Sequence, residues 1–135
     1  MLSYILEGGR KLEGNIKVSG SKNASLPILA ASLLSGKKTC LYNVPKISDI
    51  DTTLEIMKML GCKISRTNGK IVIDSNNVNS FEIPDNLMQK MRSSVVIAGA
   101  LLGRFKEAYF SYPGGCEIGA RPIDLHLNGF KKLRH

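Results

Sequence analysis

The sequence has 135 residues, of which 43% are hydrophobic, so it is long and apolar enough for one packed domain and does not belong to a disordered protein. Nineteen basic against 11 acidic side chains give a net charge of +8, which favours an anionic ligand, but scattered basic residues, 6% aromatic content and the absence of Trp argue against nucleic acid. Three widely spaced cysteines, no signal peptide and no run of about eighteen apolar residues predict a soluble, cytoplasmic protein without disulfides or a membrane segment.

The first regular elements are a predicted helix and a strand. The apolar, Ala-rich run 22–34 predicts a largely buried helix, and Pro27 is compatible with it only if the helix starts near residues 24–26. The stretch KKTCLYNVP then alternates briefly and stops at a proline, which is typical of a strand. Cys40 and Cys62 are interpreted as small buried hydrophobes.

A second helix and a hairpin follow. Residues 48–61 predict an amphipathic helix with Asp49 or Asp51 as its N-cap and with Gly61 just after its last turn. The Asn-Gly pair at 68–69 is the strongest short hairpin signal, so we expect a short strand on either side of it.

The second half of the chain repeats this order of elements. An apolar helix, a basic break and a strand recur with an offset of 69 residues. The next amphipathic helix, with Ile123, Leu127 and Phe130 on one face, recurs with an offset of 73. The four extra residues lie within GGCEIGAR, so this loop is an insertion into a repeated scaffold, where function tends to be located.

Each unit has the order helix, strand, helix, hairpin and can bury its apolar faces only against other copies. We assign the first unit to residues 22–74 and the second to residues 86–135. The second unit is truncated, because Leu133 is followed by Arg134 and His135 where the first unit continues with a glycine and a hairpin. We therefore expect the chain to be a fragment of a longer protein.

The inserted loop carries the best candidates for chemistry. Cys116 follows two glycines, which permit close approach of a ligand, and Arg121 could lower the pKa of its thiol and make it a nucleophile or a proton donor. Pro122 is predicted at the first helical position, so Arg121 and the helix N-terminus form a candidate phosphate or carboxylate site. Asp124 either complements the helix dipole or accepts hydrogen bonds from a ligand. An inert buried thiol and a solvated arginine are the alternatives.

Two further cations lie at helix starts. Lys22, next to Asn23, is a candidate anion contact, although SGSKN is not a Walker A motif. Arg92 occupies the corresponding junction of the second unit and points either to solvent or to an anion. His126 has no partner at metal-ligand spacing and is interpreted as structural, so no metal is predicted.

Over nearly its whole length the chain resembles the N-terminal part of the UDP-N-acetylglucosamine enolpyruvyltransferase (1-carboxyvinyltransferase) family. The resemblance rests on SGSKNASLPILAASLL, NVPKISDIDTTLEIMKMLG, MRSSVVIAGALLGRF and PGGCEIGARPIDLHLNG. It implies an α/β (α+β) fold, namely an inside-out α/β barrel built from repeated units and incomplete here. It assigns residues 1–21 to strands of the family's second domain and residues 22–135 to a partial catalytic domain.

The same resemblance implies an activity and its site, with no metal or organic cofactor. The reaction is transfer of the enolpyruvyl group from phosphoenolpyruvate to the 3′-hydroxyl of UDP-N-acetylglucosamine, the first committed step of peptidoglycan precursor synthesis. Cys116 would be the proton donor to the methylene carbon and the thiol that fosfomycin alkylates. The implied contacts with phosphoenolpyruvate are Lys22, Asn23 and Arg121. The implied contacts with UDP-N-acetylglucosamine are Arg92, Arg121, Pro122, Ile123, Asp124 and Leu125.

The chain departs from the family in its length. It lacks the second domain, which supplies an aspartate general base and a further arginine, and Arg134 replaces a usual glycine. We therefore expect no turnover by this chain alone and expect the missing C-terminal repeats to be its partner. Two alternatives stay open: a non-catalytic fragment that recognises a nucleotide sugar, and a relative of the shikimate-pathway enolpyruvyl transferase, which shares the Ser-Lys junction but lacks the cysteine loop.

Overall fold

The computed structural model of the protein describes residues 3–91, 95–112, 114 and 122–132, and every structural statement below concerns these residues. Helices and strands are mixed within them, which confirms the predicted α/β class. In chain order the elements are α1 Lys22–Leu34, β1 Lys38–Tyr42, α2 Ser48–Met59, β2 Lys63–Thr67, β3 Lys70–Asp74, α3 Asp85–Met88, α4 Val95–Phe105 and α5 Asp124–Lys132.

Helix α1 starts earlier than predicted because Ser21 is its N-cap. The Ser21 side chain accepts a hydrogen bond from the Ala24 N–H at 3.3 Å. The predicted start at residues 24–26 is therefore wrong, and Pro27 lies in the second turn. The N–H that proline lacks would have bonded to the carbonyl of Asn23, which is exposed and can bond to water, so the helix tolerates the proline.

The three strands form an antiparallel sheet in the order β1-β3-β2. The β2–β3 hairpin turns at the predicted pair 68–69, where the glycine has a φ of +75°. In the β1–β3 ladder, Thr39 lies opposite Ile73 and Leu41 lies opposite Ile71. Both isoleucines belong to the hydrophobic core, so the sheet packs through this face.

Helix α2 has the predicted end but not the predicted start. Its N-cap is Ile47, whose side chain makes no cap hydrogen bond, so the prediction of Asp49 or Asp51 at this position is wrong. Both aspartates lie in the first turn instead, where the helix dipole favours them, and both bond to cations distant in sequence. Leu60 is the C-cap and Gly61 follows it with a φ of +108°, which confirms the predicted end.

The hydrophobic core lies between helices α1, α2 and α4 and one face of the sheet. Arg104 of α4 connects these layers, because its Nη1 atom donates to the carbonyls of Leu33 at 2.7 Å and Ser75 at 2.9 Å. Leu33 lies in the last turn of α1, so the arginine bonds to a carbonyl that has no partner within its helix. The fully buried side chains include Leu29, Leu33, Ile50, Ile56, Met57, Ile71, Ile73, Leu87 and Ile97.

The second unit has the predicted helices but not the predicted strand. Residues 107–111 form no strand, and Tyr109 alone makes an isolated parallel bridge, with Glu82. The strand is absent because it has no partner strand. In the first unit β1 pairs with β3, whereas no described segment corresponds to β3 in the second unit. Helix α5 begins at Asp124, so the prediction that Pro122 occupies the first helical position is wrong.

Residues 3–20 contain no helix and no strand, so the strands that the resemblance implies for residues 1–21 stay a prediction. Apolar side chains in this segment lie in solvent; Ile5 is 92% exposed and Leu12 is 93% exposed. The assignment of this segment to a second domain stays a prediction. In the described part of the chain, no helix has the length and apolar character needed to cross a bilayer.

Candidate active site

The start of α1 is fixed against the turn that follows β1. A Cβ atom on Gly20 would overlap with the carbonyl oxygen of Asn43, which itself has a φ of +56°. Only glycine permits such an approach between two backbone segments. This contact holds the first turn of α1, with Lys22 and Asn23, beside the chain that leads into α2.

Lys22 is paired with a carboxylate of α2. Its Nζ atom lies 2.9 Å from Oδ2 of Asp49, and the two side chains are 49% and 31% exposed, respectively. A pair that water can reach contributes only about 0–1 kcal/mol to stability. The ammonium can therefore be transferred from Asp49 to an anionic ligand at little cost. Sequence analysis missed this partner, which no local pattern indicates because the two residues are 27 positions apart.

The other carboxylate of this turn has a structural role. Arg66 of β2 places Nη1 2.6 Å from Oδ1 of Asp51, and its Nη2 atom donates to the carbonyl of Pro45 at 3.1 Å. The guanidinium thus joins the first turn of α2 to the sheet. Of the two aspartates in this turn, Asp51 bonds to Arg66 and Asp49 bonds to Lys22.

Described residues at the two ends of the inserted loop have defined positions: Gly114 is its first residue, and Ile123 follows it. The Gly114 N–H donates to the carbonyl of Met88 at 3.3 Å, and a Cβ atom on Gly114 would overlap with the backbone of Gln89. On the other side, Ile123 is 5% exposed and its carbonyl accepts the Leu127 N–H at 3.0 Å. Both ends of the loop therefore have defined positions, next to α3 and at the start of α5.

A tyrosine just before the loop bonds to the first turn of α5. The Tyr112 hydroxyl donates to Oδ1 of Asp124 at 3.2 Å. This hydrogen bond, together with the negative charge of the carboxylate, raises the pKa of Tyr112 because both favour the neutral phenol. Sequence analysis did not single out Tyr112, which stands next to the loop but has no motif of its own.

The predicted site residues at the start of α5 differ in exposure. Pro122 and Asp124 are exposed, and Leu125 is 85% exposed, so all three side chains can contact a ligand. The side chain of Ile123 is buried and contributes packing.

The predicted residues form two described groups, one at the start of α1 and one at the start of α5. No hydrogen bond or ion pair between described residues joins these groups. Arg92, Cys116 and Arg121 lie outside the described residues, and their roles stay predictions. The described residues include no group of three His, Cys, Asp or Glu side chains that could hold a metal ion.

The two described cysteines have different environments. Cys62 is buried, as predicted, and burial raises the pKa of its thiol to about 11, although the charge of Arg104 opposes this shift. Its thiol is therefore unreactive at neutral pH. Cys40 is exposed, so the prediction that it is buried is wrong: it lies on β1, an edge strand, where alternate side chains point away from the core.

Comparison with known families gives a match along nearly the whole chain. The family described as EPSP synthase (3-phosphoshikimate 1-carboxyvinyltransferase) matches residues 6–134.

Curated relatives are similar over 98% of this chain. The UDP-N-acetylglucosamine 1-carboxyvinyltransferase 2 of Caldanaerobacter subterraneus subsp. tengcongensis is 49% identical, and the protein of the same name from Carboxydothermus hydrogenoformans is 47% identical. The UDP-N-acetylglucosamine 1-carboxyvinyltransferase of Yersinia pestis is 46% identical. The match covers 32% of each of these relatives, so the chain spans about a third of their length.

A solved structure shows the same fold. The enolpyruvyl transferase NikO from Streptomyces tendae superposes with a TM-score of 0.65 over 73% of this chain and 23% of that chain. At 23% identity the likeness concerns the fold alone. It confirms an enolpyruvyl transferase type of α/β fold, whereas the complete barrel stays a prediction.

Proposed function

We propose a function from one premise: the chain belongs to the EPSP synthase family of 1-carboxyvinyl (enolpyruvyl) transferases, which is a family of enzymes. Because the curated relatives at 46–49% identity are named for UDP-N-acetylglucosamine and not for phosphoshikimate, we assign this chain to the UDP-N-acetylglucosamine branch. It is then the N-terminal part of an enzyme that transfers the enolpyruvyl group of phosphoenolpyruvate to the 3′-hydroxyl of UDP-N-acetylglucosamine in cytoplasmic peptidoglycan precursor synthesis, a step that cell shape and division require.

The observation that carries the proposal is the exposed ammonium of Lys22 at the start of α1. It is close to one carboxylate, it is open to water, and it lies at the positive end of a helix dipole. Phosphoenolpyruvate carries a phosphate and a carboxylate, so its binding needs cations of this kind. Asn23 in the same turn is exposed and can donate a hydrogen bond to the same ligand.

The reaction also needs an acid, for which we propose Cys116. Addition of the sugar hydroxyl to C2 of phosphoenolpyruvate requires a proton at the methylene carbon C3. Loss of phosphate from C2 and of a proton from C3 then restores the double bond in the product. A thiol in a glycine-rich loop that closes over the substrates can donate the first proton and exclude water.

In this proposal the remaining site residues bind the two substrates. Arg121 contacts phosphoenolpyruvate and the nucleotide, and Arg92 contacts the UDP-sugar. Residues 122–125, which lead into and begin α5, line the uridine nucleotide: Pro122, Asp124 and Leu125 with exposed side chains and Ile123 through its backbone, because its side chain is buried. The carboxylate of Asp124 accepts hydrogen bonds from N–H or hydroxyl groups. Its present donor, the Tyr112 hydroxyl, is exposed and can be replaced by a ligand.

Turnover needs more than this chain. Because the chain spans about a third of its relatives, we assign the general base and a further arginine to the C-terminal repeats that it does not match. The isolated chain then binds its substrates weakly and releases no phosphate. Steady release of phosphate from phosphoenolpyruvate and UDP-N-acetylglucosamine by the purified chain would contradict this.

Fosfomycin tests the site within this chain, because the chain contains its own control thiols. Attack of the Cys116 thiolate on the epoxide forms a C–S bond and breaks a C–O bond, and the released alkoxide takes up a proton. Labelling is followed by peptide mass spectrometry with and without UDP-N-acetylglucosamine. We expect the nucleotide sugar to accelerate labelling of Cys116 but not of exposed Cys40, with buried Cys62 unlabelled. Labelling of Cys116 no faster than of Cys40 would favour a non-catalytic fragment.

A further inference from the structure

The carboxylate in the first turn of α5 bonds to a neutral donor. In the first unit, the equivalent carboxylate of Asp51 bonds to the guanidinium of Arg66 at 2.6 Å. Asp124 instead accepts a hydrogen bond from the Tyr112 hydroxyl at 3.2 Å, and no lysine or arginine among the described residues forms an ion pair with it. A carboxylate without a neighbouring cation repels phosphate groups. Asp124 therefore suits a neutral part of a ligand that has an N–H or O–H donor.

The Tyr112 hydroxyl and the Asp124 carboxylate present a donor and an acceptor next to each other. Both residues are exposed, and the two bonded oxygens are 3.2 Å apart. Because a phenolic O–H can rotate, its proton can turn from Asp124 to a ligand, and the carboxylate oxygen is then free to accept a donor of the same ligand. The hydrogen bond to Asp124 and the charge of this carboxylate raise the pKa of Tyr112, so the hydroxyl keeps its proton at neutral pH.

Apolar surface accompanies this pair of polar groups. Tyr112 is 64% exposed, Leu125 directly after Asp124 is 85% exposed, and Pro122 is also exposed. Aromatic and aliphatic side chains of this kind contact the flat faces of a base. A ligand that matches the whole surface is therefore planar and has a donor and an acceptor on adjacent atoms of one edge.

Uracil has these properties, whereas the other neutral parts of a nucleotide sugar do not. Its N3–H donor lies between two carbonyl acceptors on one edge of a flat ring. The diol of a ribose can also bond to a carboxylate, but it offers no aromatic face to the tyrosine ring. The ribose diol is therefore the alternative ligand group at this position.

We infer that Tyr112, together with Asp124, determines specificity for the uracil base of the nucleotide sugar. The carboxylate of Asp124 accepts N3–H, the Tyr112 hydroxyl donates to the adjacent carbonyl oxygen, and the side chains of Tyr112 and Leu125 contact the base. The nucleotide position at residues 122–125 comes from the proposed function, on which this inference rests. Tyr112 lies outside that range, binds the base and takes no part in the transfer of the enolpyruvyl group.

The test measures nucleotide binding by the full chain and by two variants that each lose one hydroxyl. Tyr112→Phe removes the proposed donor but keeps the ring. Tyr42→Phe is the matched control, because Tyr42 is 69% exposed and lies on β1. The ligands are uridine 5′-monophosphate, its 3-methyl derivative and ribose 5-phosphate. Their Kd values are obtained by NMR titration of the amide signals of Asp124 and Leu125.

We expect Tyr112→Phe to raise the Kd of uridine monophosphate about three- to tenfold, the effect of one neutral hydrogen bond, and Tyr42→Phe to leave it unchanged. The 3-methyl derivative should bind the natural chain more weakly, because its methyl group replaces the N3 proton. Tyr112→Phe should then cause no further loss, since the hydroxyl and N3–H act on the same edge of the base. Ribose 5-phosphate should bind more weakly than uridine monophosphate and with the same Kd in all three chains.

Equal Kd values of uridine monophosphate in the natural chain and in Tyr112→Phe would overturn the inference while leaving the proposed function intact. An equal loss for all three ligands would also overturn it, because Tyr112 would then only support the structure of the site. Binding of ribose 5-phosphate as tight as that of uridine monophosphate would show that the diol is bound instead of the base. Failure of the natural chain to bind uridine monophosphate would contradict the nucleotide site itself, and with it both the proposed function and the role of Tyr112.

Discussion

Removal of the Arg104 side chain is expected to destabilise the protein more than removal of any exposed cation. Its Nη1 atom donates to the carbonyls of Leu33 and Ser75, at 2.7 and 2.9 Å. The guanidinium also lies 5.0 Å from the centre of the Phe105 ring. The Leu33 carbonyl belongs to the first unit, the Ser75 carbonyl directly follows that unit, and the arginine belongs to the second unit, so Arg104→Ala breaks a connection between the units.

The magnitude follows from the bonds that are lost. A hydrogen bond from a charged donor contributes about 1.5–3 kcal/mol, but both bonds share one nitrogen and the side chain is only partly buried. The contact with the ring adds roughly 0.5 kcal/mol. We expect Arg104→Ala to lower the free energy of unfolding by about 2–4 kcal/mol, which for a chain of this length lowers Tm by roughly 7–14 °C.

Urea denaturation followed by circular dichroism measures this change. Arg104→Lys should give an intermediate loss, because an ammonium can still donate to at least one of the carbonyls. Arg10→Ala, which removes the same charge from the exposed segment before α1, serves as the control and should have no effect. A loss below about 0.5 kcal/mol for Arg104→Ala, in the range of ordinary surface substitutions, would refute the assignment of Arg104 as a connector.

Two further predictions concern the flanks of the candidate site. Gly20→Ala should lower the free energy of unfolding by about 1–3 kcal/mol, because its methyl group would overlap with the Asn43 carbonyl, while Gly8→Ala, in open space, should be neutral in the same urea titration. Asp124→Asn should lower the pKa of Tyr112 in an ultraviolet titration, since the hydrogen bond to the carboxylate is the main cause of its raised value. In the natural chain this raised pKa adds stability below pH 10, and that stability is lost as the pH rises through the folded-state pKa of Tyr112. Tyr112→Phe should abolish this loss. If the variant loses as much stability at alkaline pH as the natural chain, the hydrogen bond between Tyr112 and Asp124 is contradicted.

Sequence patterns predicted the elements whose signals are local. The hairpin turn at 68–69 and the end of α2 at Gly61 both require a positive φ that glycine favours, so the residue type at one position fixes the local structure. The apolar repeats predicted α1, α2, α4 and α5 for the same reason, because helical periodicity is a property of the segment itself.

Features that depend on distant partners could not be predicted in this way. Asp49 and Asp51 resemble N-caps, but Lys22 and Arg66 bind their carboxylates from other elements, and Ile47 takes the cap position. The strand expected in the second unit, which would span 107–111 at the offset of 69 residues from β1, is absent for the same reason, because a strand forms only when it pairs with a partner strand. Among the candidate site residues, the SGSKN stretch indicated Lys22 but not Asp49, whose carboxylate bonds to it.

The repeat explains how one scaffold position acquires two roles. Asp51 and Asp124 are equivalent at the offset of 73 residues, and each lies in the first turn of its helix. In the first unit the hairpin supplies Arg66, which binds Asp51 to the sheet and makes it structural. In the second unit no described hairpin faces α5, and the carboxylate accepts a bond from the exposed Tyr112 beside the inserted loop. The two units thus hold the equivalent carboxylate in different surroundings, bound to the sheet in the first unit and exposed beside the inserted loop in the second.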